Sequence, residues 1–396
     1  MIFLGFIAKV KNKNYLEAYK ILSQTTVLPG VCGRICPHKK QCEGSCVRGI
    51  KGEPISIGAL ESFVFDQFAK DSSSLQDFYS NSNKNVKANV AIIGGGPAGL
   101  TCAAFLAKNG ASVTIFEKYD YLGGLLVHGI PEFRLPKSVV KETTDKILKL
   151  GINVKYKQEL GVNLNLNTLV ANYDSIFLGI GANVSSKMGV PGEDLPGVYG
   201  GNELLEFNLH PDYRGKVVSV VGGGNVAMDC ARTIKRLGAK EVNVIYRRAR
   251  EQMPAEDYEV QEAINEGINF LFQNNIVKVL GDGKVQQLEL IKTKLVQKEG
   301  DSRLSPVNVE NSNYIIDTDY VVMALGSKPA EYVKNLGLRT TKWGNIEVNE
   351  NYQTSMPKVF AGGDLAGVKG TVAWAARSGR DAANAICLYL SAIHHT

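Results

Sequence analysis

Four consecutive apolar residues at positions 90–93 lie between Asn89 and Gly94. The run is too short for a buried helix and reads as a strand covered on both faces. Glycines follow, then apolar positions at helical spacing through Lys108, then a second apolar strand at 112–116. The same order of signals returns downstream as strand 217–221, glycines, helix 226–237 and strand 242–246. Two further strands, SIFLGIGA from Ser175 and YVVMALGS from Tyr320, resemble each other. Each runs into glycine, as parallel strands do at the sheet edge where ligands bind. A short strand at 359–361 and a helix at 372–390 follow, and 137–150 reads as an amphipathic helix. Helices at 14–22 and 59–68 precede the first strand, and the Ser- and Asn-rich stretch 71–85 reads as a linker and domain boundary. This alternation predicts an α/β chain with two Rossmann-like dinucleotide-binding domains and a small α-helical, cysteine-containing N-terminal domain.

The glycine turns carry the chemistry. Gly94, Gly96 and Gly99 form G-x-G-x-x-G between a strand and a helix, with Pro97 and Ala98 opening the helix. Such a turn lets a pyrophosphate approach the backbone and face the helix N-terminus. Glu117 ends the second strand, where an acid takes a ribose hydroxyl. In the second repeat Gly222, Gly224 and Ala227 make G-x-G-x-x-A, with Asn225 and Val226 between them. No acid ends its second strand; Arg247 and Arg248 stand there, with Arg250 close by. Guanidinium groups hold a 2′-phosphate that a carboxylate would repel, so this repeat should prefer NADPH. Elsewhere, Gly123–Gly124 leaves room for a flat ring, and Arg134 could reach a phosphate or a flavin edge. Asp364 after Gly362–Gly363 can accept from a sugar hydroxyl, and Gly370–Thr371 opens a helix whose amides favour negative charge.

Composition narrows the class. The 396 residues are 44% hydrophobic and 21% charged, with a net charge of +6. Two or three globular domains fit that length. The basic residues form no run that would suggest nucleic-acid binding, and no apolar stretch is long enough to span a bilayer. The apolar start of the chain lacks a cleavage-site pattern, so a signal peptide is not expected. Four of the seven cysteines, Cys32, Cys36, Cys42 and Cys46, cluster in VCGRICPHKKQCEGSC. That pattern suggests a reducing, cytoplasmic setting and thiolate ligands in a loop, with iron–sulfur, zinc and free thiols all open on spacing alone. Cys102, Cys230 and Cys387 are isolated on helices and read as core thiols, which argues against disulfide reduction. His128 and His210 read as structural, and no catalytic acid–base pair stands out.

VCGRICPHKKQCEGSC, GEPISIGALE, GGGPAGL, GIPEFRLPK, GGGNVAMD, YRRAREQMPA and AGGDLAG together resemble the small (beta) subunits of NADPH-dependent glutamate synthase and their relatives. The resemblance spans nearly the whole chain. It implies an FAD domain at 86–200 and 324–396, split by an NADPH domain at 201–323, after a helical iron–sulfur segment at 1–75. It implies FAD contacts from Gly94, Gly96, Pro97, Ala98, Gly99, Glu117, Gly124, Leu125, Arg134, Gly363, Asp364 and Thr371. NADPH contacts are implied for Gly222, Gly224, Asn225, Val226, Ala227, Arg247, Arg248, Ala324 and Gly326. For [4Fe–4S] clusters it implies Cys46 at one, and Cys36 and Cys42 with Glu61 at another, with Cys32 not a usual ligand. Relatives carry further ligand cysteines upstream of the helix at Asn14, and Met1 starts just after that point. Three expectations follow: a longer natural chain with a truncated N-terminal domain here, one cluster rearranged onto Cys32, Cys36, Cys42 and Cys46, or a domain that has shed its metal. The implied activity is hydride transfer from NADPH to FAD, with electrons passed to a large glutamate synthase-type subunit or a ferredoxin-like acceptor. The alternatives are an NADPH:ferredoxin or sulfur/polysulfide oxidoreductase, and a flavin-binding scaffold without electron exit.

Overall fold

The computed structural model describes residues 2–70, 86–297 and 304–394. The linker expected at 71–85 lies outside the described residues. Four helices come first: α1 (Ile2–Lys11), α2 (Tyr15–Leu22), α3 (Pro29–Ile35) and α4 (Ile57–Lys70). Next are β1 (Asn89–Ile93), α5 (Pro97–Lys108), β2 (Ser112–Phe116), α6 (Leu125–His128), α7 (Lys137–Leu148), β3 (Asn153–Lys155), α8 (Leu166–Asn172) and β4 (Ser175–Leu178). A second set runs through β5 (Val184–Ser185), β6 (Val198–Gly200), α9 (Gly201–Phe207), β7 (Val217–Val221), α10 (Asn225–Arg236), β8 (Glu241–Tyr246), α11 (Asp257–Asn265) and β9 (Asn269–Phe272). It continues with β10 (Asn274–Leu280), β11 (Gln287–Val296), β12 (Ser305–Asn308), β13 (Tyr314–Asp317), β14 (Tyr320–Met323) and β15 (Ser327–Lys328). The last named elements are β16 (Val359–Ala361) and α12 (Val372–His394). Among the described residues no helix is long and apolar enough to cross a membrane.

The chain forms two compact units, Met1–Ala182 with Pro329–Thr396, and Asn183–Lys328. The first holds a parallel sheet of order β16-β4-β1-β2-β3. The second holds a parallel sheet of order β6-β14-β7-β8-β9. The two similar strands of the sequence, β4 and β14, occupy the same place, each beside the strand that leads into the glycine turn. Both stop earlier than the sequence pattern suggests, at Leu178 and Met323, and the backbone then turns at Gly181 (φ +75°) and Gly326 (φ +105°). An antiparallel set, β10 to β13, belongs to the second unit and has no counterpart in the sequence reading.

Two boundaries differ from the sequence reading. The second unit starts at Asn183 and ends at Lys328, outside the expected 201–323, because β5 and β15 pair antiparallel at its two ends. The N-terminal helices do not form a separate body either: their apolar residues join α5 and α7 in one core cluster. Lys146 of α7 shows how the join works. It is 4% exposed, and its ammonium lies 4.0 Å from the Phe65 ring centroid, 5.2 Å from Phe68 and 5.9 Å from Tyr19, while bonding Glu142 at 2.6 Å. A buried cation held by rings and a carboxylate avoids the cost of an unpaired charge. Helices α3 and α4 also cross closely, since a side chain at Gly33 would lie 2.6 Å from the Gly58 carbonyl.

The second unit is pinned by one buried arginine. Arg232 of α10 bonds Glu259 at 2.7 Å, Glu262 at 3.4 Å and Glu266 at 2.9 Å. Only 5% of its side chain is exposed. Removing one partner of such a network strands buried charge, so Arg232→Ala should cost about 3–5 kcal/mol of unfolding free energy. Arg236, on the same helix and bonded to Glu266 at 2.6 Å, is 45% exposed. Arg236→Ala should cost less than about 1 kcal/mol. Urea unfolding of both variants checks the contrast.

Candidate functional site

Three sites emerge, two in the first unit and one in the second. The first is the turn after β1. Gly94 adopts φ +95°, and a Cβ there would sit 2.7 Å from the Gly179 carbonyl. A Cβ on Gly99 would lie 1.9 Å from the Gly94 carbonyl, so helix and strand approach as only glycine permits. Gly96 is the N-cap of α5, has no side-chain cap, and has open space around its missing side chain. The first turn of α5, opened by Pro97 and Ala98, therefore faces an uncovered cradle with its positive end outward.

The loop after β2 holds the cradle in shape. The buried Glu117 carboxylate accepts the Gly95 N–H at 2.7 Å and the Tyr119 N–H at 3.0 Å, and Gly123 N–H donates to the Gly95 carbonyl at 2.9 Å. Gly124 then caps α6, at which Leu125 begins, and a Cβ on it would touch Gly96 Cα at 3.0 Å. Arg134 lies half-buried just before α7. On the other side, the Gly363 N–H donates to the buried Ser378 hydroxyl of α12 at 2.8 Å, and a Cβ on Gly363 would lie 3.1 Å from Ala98 Cβ. Burial alone pushes the Asp364 carboxyl up to about 6. Thr371 caps α12, its hydroxyl accepting the Trp374 N–H at 3.4 Å. Glu117, Gly124, Gly363 and the α5 N-terminus thus come together around one groove.

The second cradle is built alike. Gly222 adopts φ +140°, and Ala227 stands where the first cradle has Gly99: a Cβ on Gly222 would pass 3.5 Å from that of Ala227. Gly224 caps α10 without a side-chain bond, with only Pro254 Cγ near it at 3.9 Å. The loop after β8 again grips the middle glycine, as Ala255 N–H donates to the Gly223 carbonyl at 3.0 Å. Asn225 accepts the Glu256 N–H at 3.2 Å, and Val226 beside it is half-buried. Ala324 N–H bonds the Val221 carbonyl at 2.8 Å, and Gly326 has open space around it. Arg247 is exposed at the end of β8. Arg248 is half-buried against the Tyr246 phenol, with its Nε buried and unpartnered. Cationic donors at this position fit a phosphate.

The third site is a cavity of about 470 Å³ in the first unit. Cys32, Cys36, Cys42 and Glu61 line it from one side and α12 from the other. Cys32 lies on α3, a helix where the sequence suggested loop, and its carbonyl accepts the N–H of Cys36, the helix C-cap, at 3.1 Å. Burial, with Glu61 and Glu43 nearby, pushes the Cys42 thiol up to about 11. Burial and then Glu43 push the Glu61 carboxyl up to about 7. Cys46 is not among the lining residues. The Cys46 thiol is half-buried, and the nearby backbone N–H groups of Ile55 and Arg48 hold it below the usual thiol range. No group of three donors among the described residues could hold a single metal ion. Gln41, also lining the cavity, donates to the Thr371 hydroxyl at 3.2 Å and so ties this wall to the α12 N-terminus.

Cys102 and Cys230 are buried on α5 and α10, and Cys387 is half-buried on α12. His210 bonds the Tyr213 hydroxyl at 3.1 Å, and His128 stacks on Tyr121 with a ring separation of 4.6 Å.

The profile of the pyridine nucleotide-disulphide oxidoreductases matches residues 88–385, and that of dihydropyrimidine dehydrogenase domain II, 4Fe-4S cluster, matches residues 3–73. The chain belongs to the pyridine nucleotide-disulphide oxidoreductase family, within the group that includes glutamate synthase small chains, and is an oxidoreductase. It is 36% identical to the glutamate synthase [NADPH] small chain of Halomonas elongata over 98% of this chain and 85% of that one. It is 37% identical to the NADP(+)-dependent formate dehydrogenase subunit beta of Moorella thermoacetica, over 98% of this chain and 58% of that protein. Its fold matches Mycobacterium tuberculosis FprA in complex with NADPH at a TM-score of 0.71, with 19% identity over 78% of this chain and 86% of that one.

Two predictions separate packing from binding. Gly99→Ala should destabilise the first unit by on the order of 3 kcal/mol, whereas Gly96→Ala should melt with the parent yet retain several-fold less FAD; thermal melting and flavin content after purification read both. Asp364 binds its proton more tightly when folded, with a pKa of about 6 against an ordinary 3.8. Stability of the ligand-free chain should therefore fall between about pH 4 and pH 6 by up to about 3 kcal/mol, and Asp364→Asn should remove that slope. Urea midpoints across pH 4–7 measure it.

Proposed function

We propose that the chain is an FAD-dependent oxidoreductase that takes hydride from NADPH and passes electrons to a partner subunit, as a glutamate synthase small chain would in glutamate biosynthesis. The observation that carries this reading is the pair of glycine cradles with opposite ends, Glu117 after one and Arg247–Arg248 after the other. The acid, oriented by two backbone N–H groups, suits a free ribose, so FAD belongs to the first unit. The arginines suit a 2′-phosphate, so NADPH belongs to the second. Residues 1–75, with an iron–sulfur cluster, would carry electrons out.

Bound FAD supplies the hydride-accepting ring and can part with electrons singly. The protein's own residues position and tune. The amides of α5, exposed beyond Gly96, bind pyrophosphate, and Gly124 and Leu125 let a flat ring lie against backbone. Asp364 accepts from a ribityl hydroxyl. The N-terminus of α12, capped by Thr371, favours negative charge on the ring. Arg134 reaches the flavin's phosphate or ring edge. Ala324 and Gly326 shape the floor of the second cradle beside Asn225, Val226 and Ala227.

The acceptor is the open choice among relatives. The similarity to a formate dehydrogenase subunit favours a second reading, in which the same module serves a ferredoxin-like or other partner instead of a large glutamate synthase subunit. We place the chain in the cytoplasm, where NADPH is supplied.

NADPH added anaerobically should bleach the flavin band in strong preference to NADH. Arg247→Ala with Arg248→Ala should raise the KM for NADPH by on the order of 10- to 100-fold, from the loss of charged hydrogen bonds, and leave that for NADH unchanged. Absence of flavin, or an equal response to NADH, counts against the assignment.

A further inference from the structure

The antiparallel strands β10 to β13 of the second unit have no task in a nucleotide cradle, yet they meet the parallel sheet behind Arg247 and Arg248. The Thr293 hydroxyl, on β11 and 5% exposed, donates to the Arg247 carbonyl at 2.8 Å. The Gln273 N–H donates to the Arg248 carbonyl at 3.0 Å. The two holding residues are also tied to each other. Thr293 N–H donates to the Gln273 carbonyl at 2.7 Å, and Gln273 Nε2 donates to the Thr293 carbonyl at 3.4 Å. We propose that Thr293 and Gln273 are positioning residues that fix the backbone of Arg247 and Arg248, so that the pair can hold a 2′-phosphate. The proposal rests on the NADPH reading of the second unit and names what makes that reading selective.

Sheet formation alone does not supply this hold. The parallel pairing of β8 with β9 ends at Tyr246 and Phe272. Arg247 and Arg248 lie beyond it, where a chain leaving a sheet edge is ordinarily free to move. Gln273 joins β9 to β10 with φ +55°. A residue other than glycine enters that left-handed region at a cost, and stays there only when its surroundings hold it. The turn takes the chain out of the parallel sheet and lets β11, paired with β10, bring Thr293 to the Arg247 carbonyl.

The same segment is anchored to the cradle from its other end. The Tyr246 phenol donates to the Gln252 carbonyl at 2.7 Å, and a Cβ on Gly223 would lie 2.5 Å from the Tyr246 ring. Residues 246–248 are thus tied to the middle glycine on one side and to Thr293 and Gln273 on the other. An arginine that grips a phosphate gives up rotamer freedom, and a fixed backbone beneath it keeps that loss from growing. Neither Thr293 nor Gln273 carries charge, so neither attracts the anion by itself. Their loss should weaken a 2′-phosphorylated nucleotide and spare one with a free ribose.

Equilibrium dialysis of NADP+ and NAD+ against the full chain tests this in the parent, Thr293→Val and Thr293→Ser. Loss of one neutral hydrogen bond behind the arginines should weaken NADP+ by about 3- to 10-fold and leave NAD+ as in the parent. Thr293→Ser keeps the hydroxyl and should match the parent for both nucleotides. In a chain already carrying Arg247→Ala and Arg248→Ala, Thr293→Val should change neither affinity, because nothing is left to position. Thr293→Ala removes the same bond with a smaller side chain, and decides the matter if Thr293→Val fails to fold. Parent-like NADP+ binding without the hydroxyl, an equal loss of both nucleotides, or a further loss in the chain lacking both arginines each overturns the positioning role. A parent that binds NADP+ and NAD+ equally overturns the NADPH reading itself, and the proposal with it.

Discussion

A contact that no side chain could share organises the first unit. The Gly99 Cα presses against the Gly94 carbonyl, and on the other face of α5 the Ala98 carbonyl lies 2.1 Å from where a Cβ of Gly379 would be. Helix α5 is thus held between β1 and α12 at backbone-to-backbone distance. That closeness aims the helix N-terminus at the groove and fixes the Gly363 turn beside it. Charge alone would not achieve this: a helix end attracts an anion weakly, by about 0.3–1 kcal/mol when exposed, and gains force only when its amides are positioned and partly shielded.

The second unit solves the same problem differently. Its first glycine, Gly222, has φ +140° against +95° at Gly94, and a methyl group stands at Ala227 where the first unit has Gly99. In both cradles the carbonyl of the middle glycine is bonded by the loop after the second strand, through Gly123 in one and Ala255 in the other. The two loops thus brace the cradles in the same way and differ in the charge they carry, Glu117 in one and the arginines in the other.

Much of this was legible because glycine spacing and apolar runs are local signals. Strands 112–116, 217–221 and 359–361 fall where the pattern puts them, and α5 ends at Lys108. What the pattern missed was either short or tertiary. Helix α3 hides among glycines and a proline that suggested loop, and it is held by packing against Phe65 and α4 more than by propensity. Strand β11, QLELIKTKLV, does alternate, with Leu288 and Leu290 buried, and so carries a local signal of its own. The place of Cys32 was not visible at all. Spacing treats the four N-terminal cysteines as one group, and the fold is what puts Cys32 on the same cavity as Cys36, Cys42 and Glu61.

The pairing of Ser185 with Ser327 has an evolutionary reading. The chain leaves the second unit beside the point at which it entered, so everything between behaves as a cassette on a two-strand stem. Inserting such a cassette into a loop costs little closure entropy, because its ends already meet. A gene for a single flavin domain could gain, lose or exchange a nucleotide domain at this stem without disturbing the order of the first sheet. Selection for a different pyridine nucleotide would then need to act on the cassette alone.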